Sequence, residues 1–192
     1  MSNKRKLNRT GAVLATGALL GATLMMGSFA GPASAEDAVG GEITAGALDA
    51  SFADFAFANT PYSFSPQAVT DGSTLTVSDE TGSAAGWHVT VQASNLTANG
   101  GADVINDENL SFTVLGTPAD VAGQPRNVTD GPNAVAASVT DPLDAPVEIV
   151  DANAGFGEGE YTQAATLEVA IPAMQDSGVY AGTLTVTATA GP

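Results

Sequence analysis

The chain has 192 residues, of which 44% are hydrophobic and 14% are charged, and its 21 acidic residues against five basic ones give a formal net charge of −16. Such an excess of negative charge repels nucleic acid and anionic lipid, so both are poor partners. The sequence contains no cysteine, which excludes a disulfide framework, thiol catalysis and a cysteine-ligated metal.

The first 35 residues are predicted to be a secretory signal peptide. A basic start, KRKLNR at residues 4–9, precedes an apolar stretch at 12–31, and Ala33-Ser34-Ala35 matches a cleavage signal. The mature chain is then expected to begin at Glu36, to be secreted, and to have no membrane insertion after cleavage. Arg126 remains its only basic residue, against all 21 acidic ones.

Residues 36–192 are predicted to form one all-β domain. Short runs of alternating or β-branched residues indicate strands, whereas no segment shows the apolar spacing of a substantial helix. The predicted strands, in chain order, are 42–44, 75–77, 87–93, 110–115, 134–139, 146–150, 165–171 and 182–189. Turn residues predict turns at 71–72, 99–101, 117–118, 130–132, 141–142 and 176–178. This pattern predicts an antiparallel β-sandwich of the immunoglobulin-like or Greek-key type.

Segment 116–146 is predicted to be a long, proline- and glycine-rich loop with at most a short strand inside it. The last predicted strand alternates apolar residues such as Leu184 and Val186 with threonines, as a half-buried antiparallel strand does. No LPxTG sorting motif follows that strand. Any association with a cell surface is therefore expected to be non-covalent.

Catalytic patterns are absent from the sequence, so the chain is predicted not to be an enzyme. His88 is the only histidine, and alternation along WHVTV places it on the face opposite Trp87 and Val89, where it points to solvent or to the edge of a second sheet. No G-x-S-x-G, H-E-x-x-H or phosphate-binding glycine loop occurs. Paired carboxylates for glycoside hydrolysis stay formally open, but 21 acidic residues nominate no pair.

Two acidic, glycine-containing loops are candidate calcium sites. Neither follows the EF-hand spacing, so solvated acidic loops are the alternative interpretation, and no resident cofactor is predicted. The candidate ligands lie in DVINDEN and DANAGFGEGEY and are Asp103, Asp107, Glu108, Asp151, Glu158 and Glu160.

The aromatic residues are predicted to be core, with a surface aromatic patch as the alternative. Those outside the last strands are Phe52, Phe55, Phe57, Tyr62, Phe64, Phe112 and Phe156. Trp87 is also predicted to fill the core, at the start of a strand that follows a tight turn. We expect the carboxylate of Asp79 and the flexible backbone of Gly82 and Gly86 to form that turn.

The stretch LTVSDETGSAAGWHVTVQASNLT (75–97) resembles the N-terminal half of the WxL domain of Gram-positive surface proteins. The positions that match its signature are Val77, Asp79, Gly82, Gly86, Trp87 and Val89, and near the end Ile171, Pro172, Gly178, Tyr180 and Leu184. The resemblance extends from about Ile43 to Thr189. Val89 stands where the type motif has leucine, and Val186-Thr187-Ala188 stands where the second motif has tryptophan. The chain is therefore similar to a divergent member, and its richness in alanine and glycine, with no lysine after residue 35, indicates an actinobacterial type.

The resemblance implies a protein of the cell surface that binds the cell wall non-covalently, with peptidoglycan as the expected ligand. The motif positions Asp79, Gly82, Gly86, Trp87, Val89, Tyr180 and Leu184 are then the candidate binding residues. The partner would be the cell wall or a surface protein. The alternative is a structural subunit whose edge strands and threonine faces add to neighbours by β-augmentation.

Overall fold

The computed structural model describes residues 42–135 and 139–191; the predicted signal peptide lies outside them. The described residues form eleven strands and two short 3₁₀ turns, and none of their helices is long and apolar enough to cross a membrane. The strands are β1 (Leu48–Phe52), β2 (Gln67–Asp79), β3 (Trp87–Ala93), β4 (Leu96–Ala98), β5 (Asp103–Ile105), β6 (Leu110–Gly123), β7 (Asn133–Ala134), β8 (Val139–Pro142), β9 (Val147–Ala152), β10 (Gly159–Ile171) and β11 (Leu184–Ala190).

Two antiparallel sheets face each other. One has five strands in the order β1-β2-β10-β6-β8, the other has four in the order β11-β3-β9-β7, and β4 and β5 form a separate hairpin. Consecutive strands repeatedly change sheets, so each crossing covers an end of the sandwich. The predicted all-β antiparallel sandwich is confirmed.

The core lies between the sheets because alternate residues of each strand point inward. The largest fully buried side chains are those of Trp87, Tyr161, Phe112, Leu75, Leu143 and Ile149. Apart from Leu143, which directly follows β8, they lie in strands of the two sheets, and all form one hydrophobic cluster with the buried valines of β2, β3, β6, β9 and β10. The outward residues of the same strands are mostly threonine, serine and acidic residues, which explains the clean alternation in the sequence.

The pairing of β2 with β10 defines two ends of the sandwich. It runs without a shift over thirteen residues, from Gln67 opposite Ile171 to Asp79 opposite Gly159. We call the end with Asp79 and Trp87 the tryptophan end, and the end with Gln67 and Ile171 the groove end.

Several sequence predictions of local structure are wrong. Residues 42–44 are not a strand: Ile43 is fully exposed and the first strand begins at Leu48. The turn predicted at 71–72 lies inside β2, because β10 pairs with that stretch as regularly as with the rest. The turns predicted at 117–118 and 141–142 lie within β6 and β8. The predicted loop 116–146 therefore contains the second half of β6 together with β7 and β8.

Candidate functional site

Trp87 is fully buried at the tryptophan end, as predicted. Its indole nitrogen donates a hydrogen bond to the carbonyl of Gly157 across 2.9 Å. Its ring packs at a tilt against Tyr161 of the opposite sheet, with 6.3 Å between ring centroids. Because the side chain of Trp87 has no exposed area, it does not contact a ligand from solution. Its contacts with Gly157 and Tyr161 instead join the two sheets.

The turn before Trp87 is organised by Asp79, as expected. One carboxylate oxygen of Asp79 accepts hydrogen bonds from the backbone N–H of Thr81 at 3.0 Å and from its hydroxyl at 2.7 Å. Gly82 and Gly86 both have positive φ, and a Cβ on Gly86 would lie 2.4 Å from the carbonyl oxygen of Ala152. These motif residues shape a compact turn rather than an open site.

Val89 and His88 alternate on β3 as the pattern predicts. Val89 is fully buried in the core, whereas His88 is half-buried and its Nδ1 donates a hydrogen bond to the carbonyl of Gly191 at 2.9 Å. His88 therefore ties the end of the chain to β3. None of its hydrogen bonds in the described structure goes to a serine or a carboxylate.

Tyr161 is the one described titratable group at the tryptophan end with a large pKa shift. Burial, together with the negative charges of Asp120, Asp79 and Glu158, raises the pKa of Tyr161 to about 12. Its hydroxyl donates a hydrogen bond to the carbonyl of Gln124 at 2.5 Å. The phenol is therefore protonated at neutral pH and acts as a buried donor that holds the loop after β6.

The six candidate calcium ligands are divided between two regions, with Asp103, Asp107 and Glu108 around β5 and the others in β9, β10 and their connection. Among residues 42–135 and 139–191, no three acidic or histidine side chains converge as a metal site would require. Glu158 instead accepts a hydrogen bond from the backbone of Ala84 at 3.0 Å, which ties the loop before β10 to the turn before β3.

A cavity with a volume of about 420 Å³ lies at the groove end. It lies between the irregular segment 53–66 and segment 172–180. Its wall combines aromatic and aliphatic side chains with neutral hydrogen-bonding groups, and Asp176 is the only charged residue among those that line it. The aromatic lining residues are Phe55, Phe57, Tyr62 and Tyr180, and the amides and hydroxyls are Asn59, Thr60, Ser63, Gln67, Gln175 and Ser177.

Segment 53–66 is anchored although it has no regular secondary structure. The carboxylate of Asp71 accepts a hydrogen bond from the backbone of Ala56 at 2.7 Å, and the hydroxyl of Ser73 donates to the carbonyl of Ala53 at 3.0 Å. Farther along, the backbone N–H of Met174 donates to the carbonyl of Ser63 at 2.8 Å. The two walls of the cavity are thus joined to each other and to β2.

Tyr180 forms part of the opposite wall. Its hydroxyl donates to the carbonyl of Asp176 at 2.8 Å and accepts from the side-chain amide of Gln175 at 2.7 Å. This closes the turn at 176–180 in the manner of a tyrosine corner. Gly178 allows the turn to pack tightly, since a Cβ there would lie 2.8 Å from that of Ala98. Leu184 follows at the start of β11, half-buried.

Two exposed aromatic side chains lie at or beside the rim of the cavity: Tyr62 lines it, and Phe64 contacts Tyr62. Tyr62 and Phe64 are 54% and 79% exposed, and their rings meet edge to face with centroids 5.4 Å apart. The prediction that they are core is therefore wrong, because segment 53–66 is irregular and alternation does not decide which way its side chains point. Phe52, Phe55, Phe57 and Phe112 do belong to the hydrophobic core or pack against it, as predicted, and Phe156 is partly buried.

Met174 is conformationally strained at the same rim. It has φ +58°, a left-handed conformation that side chains other than glycine rarely adopt, and it is 61% exposed. Val179, which lies in the same segment 172–180, is 90% exposed. Backbone strain and exposed apolar side chains concentrate at functional surfaces. The groove end combines both features with a cavity, which makes it the candidate site.

Comparison with known proteins adds little to this geometry. No family model matches the chain, and no curated protein matches it. A solved structure of a family 123 glycoside hydrolase from Clostridium perfringens is similar at 16% sequence identity with a TM-score of 0.39. The similarity covers 74% of this chain but only 24% of the hydrolase chain. A likeness this distant carries no argument about activity.

Proposed function

We propose that this protein is a secreted, non-enzymatic domain of the WxL type that associates non-covalently with the Gram-positive cell wall by binding glycan chains at the groove end. The observation that carries this proposal is the composition of the cavity. In a chain with 21 acidic residues, the cavity is lined by aromatic and aliphatic side chains, by amides and hydroxyls, and by a single carboxylate.

Such a lining suits an uncharged, hydroxyl-rich ligand. Apolar surface gives a binding site its area, and a few fixed polar groups give it orientation. The exposed rings of Tyr62 and Phe64 offer flat surfaces for the C–H faces of sugars, and the amides of Gln67 and Gln175 offer hydrogen bonds. A polymer dense in phosphate would instead be repelled by the acidic surface.

The motif residues are divided between two tasks under this proposal. Asp79, Gly82, Gly86, Trp87 and Val89 build the fold at the tryptophan end, whereas Tyr180 shapes the wall of the cavity. The contact with the wall polymer is therefore expected at the groove end. It is not expected at the tryptophan for which the family is named.

The test is co-sedimentation of residues 36–192 with purified cell walls. We expect saturable binding that chelator does not abolish, and weaker binding by Tyr62→Ala and Phe64→Ala. Val128→Ala is the matched control, because Val128 is as exposed as Phe64, at 79%, but lies outside segments 53–66 and 172–180, which form the walls of the cavity. Protein that stays in the supernatant would contradict wall binding. Equal binding by all three variants would contradict the groove end as the contact surface.

A protein partner at the cell surface is the second candidate, favoured by the exposed apolar side chains of Met174 and Val179. Soluble wall oligosaccharides separate the two candidates. If they compete with cell walls for the domain, the ligand is glycan. If binding requires wall proteins and oligosaccharides do not compete, the partner is a protein.

A further inference from the structure

The four edge strands of the two sheets are not equally protected against pairing with another strand. In the described chain, β7 has only two residues, β8 contains Pro142, and β1 carries the exposed Asp49. Short length, proline and charge are the usual devices that prevent edge-to-edge association. β11 has none of them: it has seven residues, LTVTATA, and pairs with β3 without a bulge.

The outer face of β11 and β3 is also free of charged side chains. Its outward residues are Thr185, Thr187 and Thr189, all exposed. They lie opposite Gln92, Thr90 and His88 of β3 in the antiparallel register. In a chain so rich in carboxylates, no acidic side chain lies on this pair of strands. Charges farther away than about 8 Å are screened at physiological ionic strength, so a second identical surface meets little local repulsion.

We propose that β11 pairs antiparallel with β11 of a second copy of this chain. A two-fold axis that passes midway between the two copies of Thr187 relates the two chains. In this register Thr185 lies opposite Thr189 of the second copy, and Val186 lies opposite Ala188. Threonine therefore meets threonine on the outer face and apolar side chains meet on the inner face, both of which are favourable cross-strand pairs. The two four-stranded sheets become one continuous sheet.

The inner side of β11 supplies a reason for this pairing beyond backbone hydrogen bonds. β11 and β1 share no strand pairing, and an open cavity of about 700 Å³ lies between them. Most of the side chains that line it are apolar, among them Phe52, Leu184 and Val186, which are all only half-buried, and Asp54 is the one charged residue in its lining. The apolar row of a second β11 covers this opening and buries it further.

The absence of cysteine from the sequence makes a clean cross-linking test. The two-fold axis brings the two copies of Thr187 to a Cα separation of about 5 Å, which suits a disulfide. The two copies of Thr185 would be about 14 Å apart, because each lies opposite Thr189 and the two are therefore offset by four residues along the strands. We therefore expect Thr187→Cys to form an intermolecular disulfide about tenfold faster than Thr185→Cys under the same mild oxidation. A mixture of Thr185→Cys and Thr189→Cys should cross-link as fast as Thr187→Cys alone.

Sedimentation of the unmodified protein provides the second measurement. We expect reversible dimers whose affinity rises with ionic strength, because salt screens the repulsion between two acidic copies. Thr187→Asp should abolish them, since it places two carboxylates face to face, while Trp87 fluorescence shows that the variant folds. Equal cross-linking of Thr187→Cys and Thr185→Cys, monomers at every concentration, or dimers that survive Thr187→Asp would each overturn the proposal.

Discussion

The indole nitrogen of Trp87 lies 2.9 Å from the carbonyl oxygen of Gly157, and a Cβ added to Gly157 would lie 2.6 Å from that same nitrogen. The hydrogen bond that satisfies the buried indole thus depends on a residue that has no side chain. This hydrogen bond links the loop before β10 to the start of β3, which lies in the opposite sheet.

Gly157→Ala is expected to destabilise the fold more than Gly155→Ala. Both glycines have φ close to +90°, so each substitution costs about 1–2 kcal/mol in backbone strain. A Cβ on Gly155 meets nothing within 4 Å, whereas the clash at Gly157 adds about 1–3 kcal/mol. Denaturant unfolding followed by tryptophan fluorescence measures both. Equal losses of stability would show that the loop moves away from Trp87 at little cost.

Stability is expected to fall at alkaline pH because of Tyr161. Its pKa is raised from 10.0 to about 12 in the folded protein, so the folded state retains a proton that the unfolded chain loses first. The contribution is complete below pH 10 and is lost as pH rises towards 12. Unfolding free energies at several pH values across this window should show the decline. Tyr161→Phe, which has no proton to lose, should show a smaller slope.

The free energy of unfolding is expected to rise with ionic strength. The guanidinium of Arg126 donates hydrogen bonds to the carbonyl of Pro132 and to the side chain of Asn133. In the described structure these bonds hold the start of β7, and the guanidinium does not neutralise a carboxylate. Screening should stabilise such an acidic protein by about 1–2 kcal/mol between low and physiological salt. Denaturation in sodium and calcium chloride at matched ionic strength measures the effect. A much larger gain in calcium would indicate a specific cation site instead.

Met174→Gly is expected to relieve strain at the rim of the cavity and stabilise the fold by up to about 1 kcal/mol. Met174→Ala keeps the unfavourable φ of +58° and should not be stabilising. If Met174 contributes to ligand binding, both variants should bind cell walls more weakly. Thermal unfolding and co-sedimentation separate the two effects, and a loss of stability in Met174→Gly would contradict the assignment of strain.

The strands that the sequence predicts well are those whose signal is local. WHVTVQA alternates through the whole of β3 and follows a glycine-containing turn, so its predicted bounds match the structure. Leu184 to Thr189 alternate in the same way in β11. The burial of Trp87 also follows from local pattern, because a large apolar residue on the inner face of a strand is most stable in the core.

The misplaced elements depend on residues that are distant in sequence. Asp71 and Gly72 have turn propensity, but β10 pairs across them and the Asp71 carboxylate binds Ala56, so the strand continues. The sequence does not predict the cavity at the groove end for the same reason, because its walls come from segments 53–66 and 172–180, which are distant in the chain. Gly157 lies in the glycine-rich stretch GFGEG, which is visible in the sequence. The local pattern of that stretch indicates metal binding and does not indicate the contact with Trp87.

Both ends of the described chain leave the domain at the tryptophan end. The backbone of Gly46 donates to Glu80 just before β1, and that of Gly191 donates to Gly86 just after β11. The thirteen-residue strand β2 separates this end from the cavity by about 40 Å. A tether or label attached at residue 42 or residue 191 is therefore attached at the end of the domain opposite the cavity. Immobilised at either of these residues, the domain presents its cavity away from the support.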